Sequence, residues 1–299
     1  MDLFYYFRQW PGSIFGNLFR MCHVMFFELK RTIFGIKYIA EFDLTDTCNL
    51  NCPHCYHFRQ KDKLDYTELS TEEWRNKFVD LKKSGIRRVL LIGGEPSLRK
   101  DIIELACSIF KYVDICSNGL IKIDFNFNAK LFISIDGNET THDSIRGKGV
   151  FKKVLENYSY DNRVVFSMTL TKNNWRQIED VVLIAIEKKV RGVSCDMYTP
   201  SKDTPDEDPL LISREERSHV IDEINEMKKK YPKVFLMSNK AILWFKKTDH
   251  TADACYWRQA VKHFNVKLEE RYSCKNLDCA NCGHFAQANL SPLNFLIKK

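Results

Sequence analysis

Tyr38-Ile-Ala-Glu-Phe-Asp-Leu-Thr-Asp-Thr-Cys-Asn-Leu-Asn-Cys-Pro-His-Cys-Tyr56 is the stretch on which the reading of this chain turns. It opens with a largely apolar run, Tyr38–Leu44, that reads as a β-strand. Three cysteines follow at once with the spacing Cys48-x3-Cys52-x2-Cys55. Thiolates so spaced can all come from one short loop and hold three irons of a four-iron cluster. Such clusters are normally held by four cysteines, so three leave one iron open. An open metal position lets a site do chemistry rather than only brace a fold. A zinc ion completed by a distant fourth ligand is the competing reading of the loop taken alone.

Outward from this loop, strand-like and helix-like segments alternate. After Tyr38–Leu44 the strand candidates are Arg88–Ile92, Tyr112–Cys116, Leu131–Ile135, Val164–Leu170 and Gly192–Met197. They are short and rich in Val, Ile and Phe, as strands buried on both faces are. Ser70-Thr-Glu-Glu73 and Ser213-Arg-Glu-Glu216 are capping boxes that open helices running to Ser84 and Lys230. Repeated strand–helix units with right-handed crossovers predict an α/β fold, a partial (β/α)6 barrel; a doubly wound sheet is the alternative. In parallel barrels the active site gathers at the C-terminal strand ends. The cysteine loop, Gly93-Gly-Glu-Pro96, Ser117-Asn-Gly119, Asp136-Gly137, Thr171-Lys-Asn173 and Tyr198-Thr-Pro200 all fall there.

Composition narrows the class. The chain has 299 residues, 44% of them hydrophobic, enough for one large core with appendages. Its 11 cysteines fall largely into two tight groups, Cys48/52/55 and Cys255/274/279/282, which is metal-ligand usage rather than a disulfide scaffold. That usage, and the lack of a cleavable signal, predict a reducing cytoplasm. The net charge of +7 is spread along the chain, and no nucleic-acid partner is expected.

The CxxxCxxC loop followed about 40 residues later by Gly93-Gly-Glu-Pro96 resembles the radical S-adenosylmethionine (radical SAM) enzymes. The resemblance covers residues 38–235 and implies much about the site. Cys48, Cys52 and Cys55 would hold a [4Fe–4S] cluster whose open iron chelates S-adenosylmethionine. Gly93, Gly94, Glu95 and Pro96 would accept the cofactor's ammonium group. Ser117 and Asn118 would bind its ribose, Ser134 and Asp136 its ribose or carboxylate, and Arg146 its carboxylate. Met197 and Tyr198 would line the adenine pocket. The activity implied is reductive cleavage of S-adenosylmethionine to a 5′-deoxyadenosyl radical that attacks a C–H or C=C bond. An electron donor such as ferredoxin or flavodoxin is implied with it.

Three domains are expected: an aromatic and basic segment at 1–36, the core barrel at 37–235, and a cysteine-rich extension at 236–299. Cys255, Cys274, Cys279 and Cys282 in the extension suit a second [4Fe–4S] cluster or a zinc ion. Cys255-Tyr-Trp257 and Cys279-Ala-Asn-Cys-Gly-His284 also resemble, in part, the tail of radical SAM enzymes that attach adenosyl to hopanoid precursors. The His spacing is shorter here and a further Cys is missing. The first reading of the substrate is therefore a lipid or isoprenoid. A peptide, in a radical SAM enzyme with an auxiliary cluster, is the alternative, and a non-catalytic zinc or iron–sulfur protein is the reading from another class. Residues 1–36 interleave aromatics with Arg and Lys and contain no spanning run. They fit a helix lying at the inner face of a membrane, or a segment packed under the barrel.

Overall fold

The computed structural model describes residues 14–60, 67–124, 126–202, 208–247, 250–272, 274 and 277–284. Helix α1 (Ile14–Phe34) precedes strand β1 (Ile39–Asp43). The short α2 (Tyr56–Gln60) and α3 (Thr71–Lys83) lead to β2 (Arg88–Ile92), and α4 (Lys100–Ile109) leads to β3 (Tyr112–Ser117). Strand β4 (Ala129–Ser134) is followed by α5 (Glu139–Arg146), α6 (Val150–Tyr158) and β5 (Val164–Leu170). Helix α7 (Ile178–Glu187) and β6 (Gly192–Met197) complete the expected run. Beyond it lie α8 (Arg214–Lys230), α9 (Asn239–Lys246), α10 (Tyr256–Ala260), β7 (Val261–Phe264) and β8 (Glu270–Arg271).

One sheet holds all the strands in the order β6-β5-β4-β3-β2-β1-β7-β8. Every neighbouring pair is parallel except β7–β8. From β1 to β6 each crossover moves one strand over in the same direction, which curls the sheet into a partial barrel.

The structure departs from the sequence reading most in three places. No helix stands between β3 and β4 among the described residues. That connection is instead held by Arg163, whose guanidinium donates to the carbonyls of Ile123, Asp124 and Phe127. Strand four runs from Ala129 to Ser134 rather than from Leu131 to Ile135. The extension is not separate from the barrel: Val261–Phe264 pairs with β1, Ile39 opposite Val261 and Phe42 opposite Phe264. A strand of four residues that includes Lys262 and His263 carries little periodicity.

The helices bury one face against the outside of the sheet. Trp74 and Phe78 of α3 meet Phe42 of β1, and Phe42 stacks on Phe264 of β7 at 5.1 Å between ring centres. The inner faces are more polar. Glu41 and Asp43 point inward from β1, and His263 of β7 bridges them at 2.7 and 3.1 Å. Burial works against the charged His263 ring, yet its hydrogen bonds to Asp43 and Glu41 outweigh that and lift its pKa to about 9.

Candidate active site

The cysteine loop leaves β1 under backbone control from the next strand. Leu44 N–H donates to the Ile92 carbonyl at 2.9 Å, and the turn after β2 returns the contact: Gly94 N–H donates to Thr45 O at 2.7 Å and Glu95 N–H to Thr47 O at 2.9 Å. The two glycines are required for this approach. A Cβ on Gly94 would lie 2.1 Å from Thr47 O, and Gly93 sits at φ +114° with a Cβ position 2.8 Å from Leu44 N. In this structure their role is to let the Gly-Gly turn seat against the cysteine loop.

Glu95 is buried and binds sideways. Its carboxylate accepts from Ser97 N–H at 2.9 Å, Ser117 Oγ at 2.7 Å and Asn118 N–H at 2.8 Å, which couples the turn after β2 to the turn after β3. Asn118 then reaches the cysteine loop, with Nδ2 2.7 Å from Asn49 Oδ1 and 3.8 Å from Cys48 Sγ. From the opposite side Arg146, at the end of α5, places Nε 2.6 Å from Asp136 and Nη1 3.8 Å from Cys52 Sγ. His54 lies 3.5 Å from Asp136. Burial disfavours the Arg146 charge, and Asp136 more than restores it. Burial and then Arg146 hold the neighbouring His142 down to about 4, so a neutral ring accepts the Asp136 amide proton.

The structure brings most of the predicted residues to one cavity of about 780 Å³ at the C-terminal rim. Cys48, Cys52, Cys55, Gly93, Gly94, Glu95, Ser117, Asn118, Ser134 and Arg146 all border it, as do Met197 and Tyr198. Pro96 and Asp136 do not: Pro96 is buried at the start of a 3-10 turn, and Asp136 lies sealed behind Arg146. Arg146 is thus already paired within the protein, and Asp136 serves to position it.

The cysteines of the extension face the same cavity. Their loop is fastened to β6: Met197 N–H donates to Gly283 O at 2.9 Å and Gly283 N–H to Thr199 Oγ1 at 2.9 Å. Arg217 of α8 clamps the carbonyls of Asn281 and Cys282. His284 bonds to Asp196 at 3.2 Å and packs edge-on against Trp257. Burial pushes the Cys282 thiol up to about 11, with the sulfurs of Cys255 and Cys279 nearby.

The donor chemistry fits iron–sulfur centres. Soft thiols face a common cavity, and N–H donors already point at two sulfurs: Leu50 N at 3.4 Å from Cys48 Sγ, and Arg146 near Cys52. Burial raises the Cys48 thiol, and burial raises that of Cys52 to about 11 against the pull of Arg146, so neither is a thiolate until a metal takes the proton's place. Among the described residues no three His, Cys, Asp or Glu side chains converge on a single metal ion. The fit to a cluster therefore rests on donor type and shared cavity.

Sequence reasoning missed Glu41, His54, Asn49 and Asp196. The signal for Glu41 was in plain view, because acids at 41 and 43 in an otherwise apolar strand mark an inner face with a task.

The Radical SAM superfamily family model matches residues 42–214. The sporulation killing factor maturation protein SkfB of Bacillus subtilis is 36% identical over 154 residues, 46% of this chain and 37% of that protein. Fe-coproporphyrin III synthase of Methanosarcina barkeri is 34% identical over 170 residues, 52% of this chain and 42% of that protein. The match thus spans about two fifths of each relative's length. The crystal structure of Streptococcus suis SuiB bound to precursor peptide SuiA superimposes with a TM-score of 0.63 over 95% of this chain and 72% of SuiB, at 12% identity. At that identity the likeness speaks to the fold alone.

Proposed function

The chain belongs to the radical SAM superfamily, and from that premise we propose that it is a peptide-modifying enzyme. In this reading Cys48, Cys52 and Cys55 hold a [4Fe–4S] cluster with one iron open to S-adenosylmethionine, and the extension's cysteines hold a second metal centre. Once bound, the cluster and cofactor supply the 5′-deoxyadenosyl radical, drawing one electron per cleavage from an outside donor of the ferredoxin or flavodoxin type. The protein's residues orient and enclose. Asn118 and Arg146 steady the cysteine loop, and Glu95 fixes the two turns that would flank the cofactor.

The observation that carries this reading is the facing of both cysteine groups into one cavity of about 780 Å³. Such a volume suits a cofactor together with a side chain or another small group. Of the substrate classes left open by the sequence, the similarities favour the peptide over the lipid. One relative is named a maturation protein, and the structure sharing the fold holds a precursor peptide. The likeness to Fe-coproporphyrin III synthase supports a tetrapyrrole as the second reading.

The test is anaerobic incubation of the reduced, iron-loaded protein with S-adenosylmethionine and either candidate precursor peptides or iron-coproporphyrin. Release of 5′-deoxyadenosine matched by a mass change in the peptide supports the proposal. Turnover coupled only to the tetrapyrrole replaces it with the second reading. Undiminished release of 5′-deoxyadenosine after Cys48→Ala, Cys52→Ala or Cys55→Ala removes both.

A further inference from the structure

Helix α1 lies across the base of the barrel, at the end remote from the cavity. His23 Nδ1 is 3.1 Å from Tyr112 Oη at the start of β3, and Phe27 stacks on Tyr38 just before β1. Glu28, the helix's single acid, is buried and accepts from Tyr38 Oη at 2.6 Å, from Tyr256 Oη and from Arg31. At 3.6 residues per turn, Val24 and Glu28 mark the face against the protein. The opposite face, an arc of roughly 120° on the same geometry, carries Phe15, Leu18, Phe19, Phe26, Leu29 and Ile33.

This is the reverse of ordinary amphipathicity, in which the apolar stripe faces the core. Phe15 is 84% exposed, Phe19 64%, Ile33 61% and Phe26 52%. The charges beside the stripe are cations. Lys30 Nζ sits 4.7 Å from the centre of the Phe26 ring, and Lys111 Nζ lies 5.2 Å from that of Phe19. Burial and then Lys111 and Arg87 push the pKa of His23 down, which marks the same surface as electropositive. No described helix is long and apolar enough to cross a membrane.

We propose that α1 lays this aromatic stripe into the headgroup region of an anionic lipid bilayer, with Lys30 and Lys111 on the lipid charges. Aromatic and aliphatic side chains flanked by Lys and Arg are the composition that settles at that depth. A second copy of the chain is the poorer occupant, because a two-fold contact would press two copies of the same cation-flanked surface together. The docking also fixes orientation. The cavity opens at the opposite end of the barrel, so substrate reaches it from the aqueous side.

Flotation of the full chain with vesicles tests this without reference to catalysis. Vesicles of phosphatidylcholine with about one-third phosphatidylglycerol should carry the protein upward, and salt of about 0.5 M should release most of it. Phe15→Ser/Phe19→Ser/Phe26→Ser should reduce the bound fraction about tenfold. Lys30→Glu/Lys111→Glu should lose binding to anionic vesicles while behaving as wild type on pure phosphatidylcholine. Equal unfolding temperatures establish that these surface variants fold, and the charge variant decides the matter if the triple variant does not. Wild-type protein that stays free of anionic vesicles overturns the proposal. So does a monomer–dimer equilibrium that the triple variant abolishes in the absence of vesicle binding.

Discussion

Met197 and Gly283 are joined by a backbone hydrogen bond of 2.9 Å, and they sit so close that a Cβ on Gly283 would fall 2.3 Å from the Met197 carbonyl oxygen. The contact ties the last strand of the expected barrel to the turn that follows Cys282. It makes the extension's cysteine loop part of the cavity wall.

Gly283→Ala should therefore act on one metal centre and spare the other. The Met197 carbonyl that the new methyl group would meet cannot give way cheaply, since it is backbone. Overpacking of this kind costs about 1–3 kcal/mol. Iron analysis should show the extension's metal diminished while the cluster at Cys48, Cys52 and Cys55 still supports cofactor cleavage. Full metal content and an unchanged unfolding temperature would mean that the loop relaxes freely.

Replacing Cys279 and Cys282 together should remove the second centre outright. Under the auxiliary-cluster reading iron falls by about four per chain; under the zinc reading iron is unchanged and zinc disappears. Metal analysis of the double variant beside wild type separates the two.

Arg146→Ala should destabilise by about 3–5 kcal/mol, because it leaves the Asp136 carboxylate buried without its cation. His54 lies 3.5 Å from Asp136, which places the expected cost toward the lower end. Arg146→Lys keeps the charge but loses the fork that reaches Asp136, His54 and Cys52 together, so it should recover part of the loss. Denaturant unfolding of the three proteins measures it. Wild-type stability in Arg146→Ala would remove the positioning role of Asp136.

Stability should fall as pH rises through the range set by His263. Its folded pKa is lifted to about 9 from an ordinary 6.5, so its contribution is complete below 6.5 and lost as pH climbs through 9. A shift of that size corresponds to on the order of 3 kcal/mol. Thermal unfolding recorded from pH 6 to 9.5 should slope downward in wild type and flatten in His263→Gln. Parallel profiles for the two proteins would show that Glu41 and Asp43 draw nothing from the ring's charge.

The barrel core and the cysteine loop were legible because their signals are local. Capping boxes at Ser70 and Ser213 marked helix starts where both boxes form, and short apolar runs marked the strands. What stayed hidden depends on partners far away in the chain. The strand Val261–Phe264 has meaning only beside β1, more than 200 residues earlier, where His263 meets Glu41. The glycines of the Gly-Gly-Glu-Pro turn illustrate a subtler limit. Their spacing pointed to a close approach, but only the fold shows that Thr45 and Thr47 of the cysteine loop are what they approach.

The fastening of the turn around Gly283 to β6 also bears on the order of assembly. The sheet order ends at β6 on one side and β8 on the other; Val193 of β6 is bridged to Phe235, and the turn around Gly283 fastens further along the same strand, at Met197. That turn is synthesised after the strand it joins, and contacts so distant in sequence close late. Cys48, Cys52 and Cys55 border the same cavity as Leu277, Cys279 and Cys282, so until that turn docks the cavity lacks part of its wall. Iron and sulfide delivered before docking would therefore meet a less enclosed cavity than those delivered after.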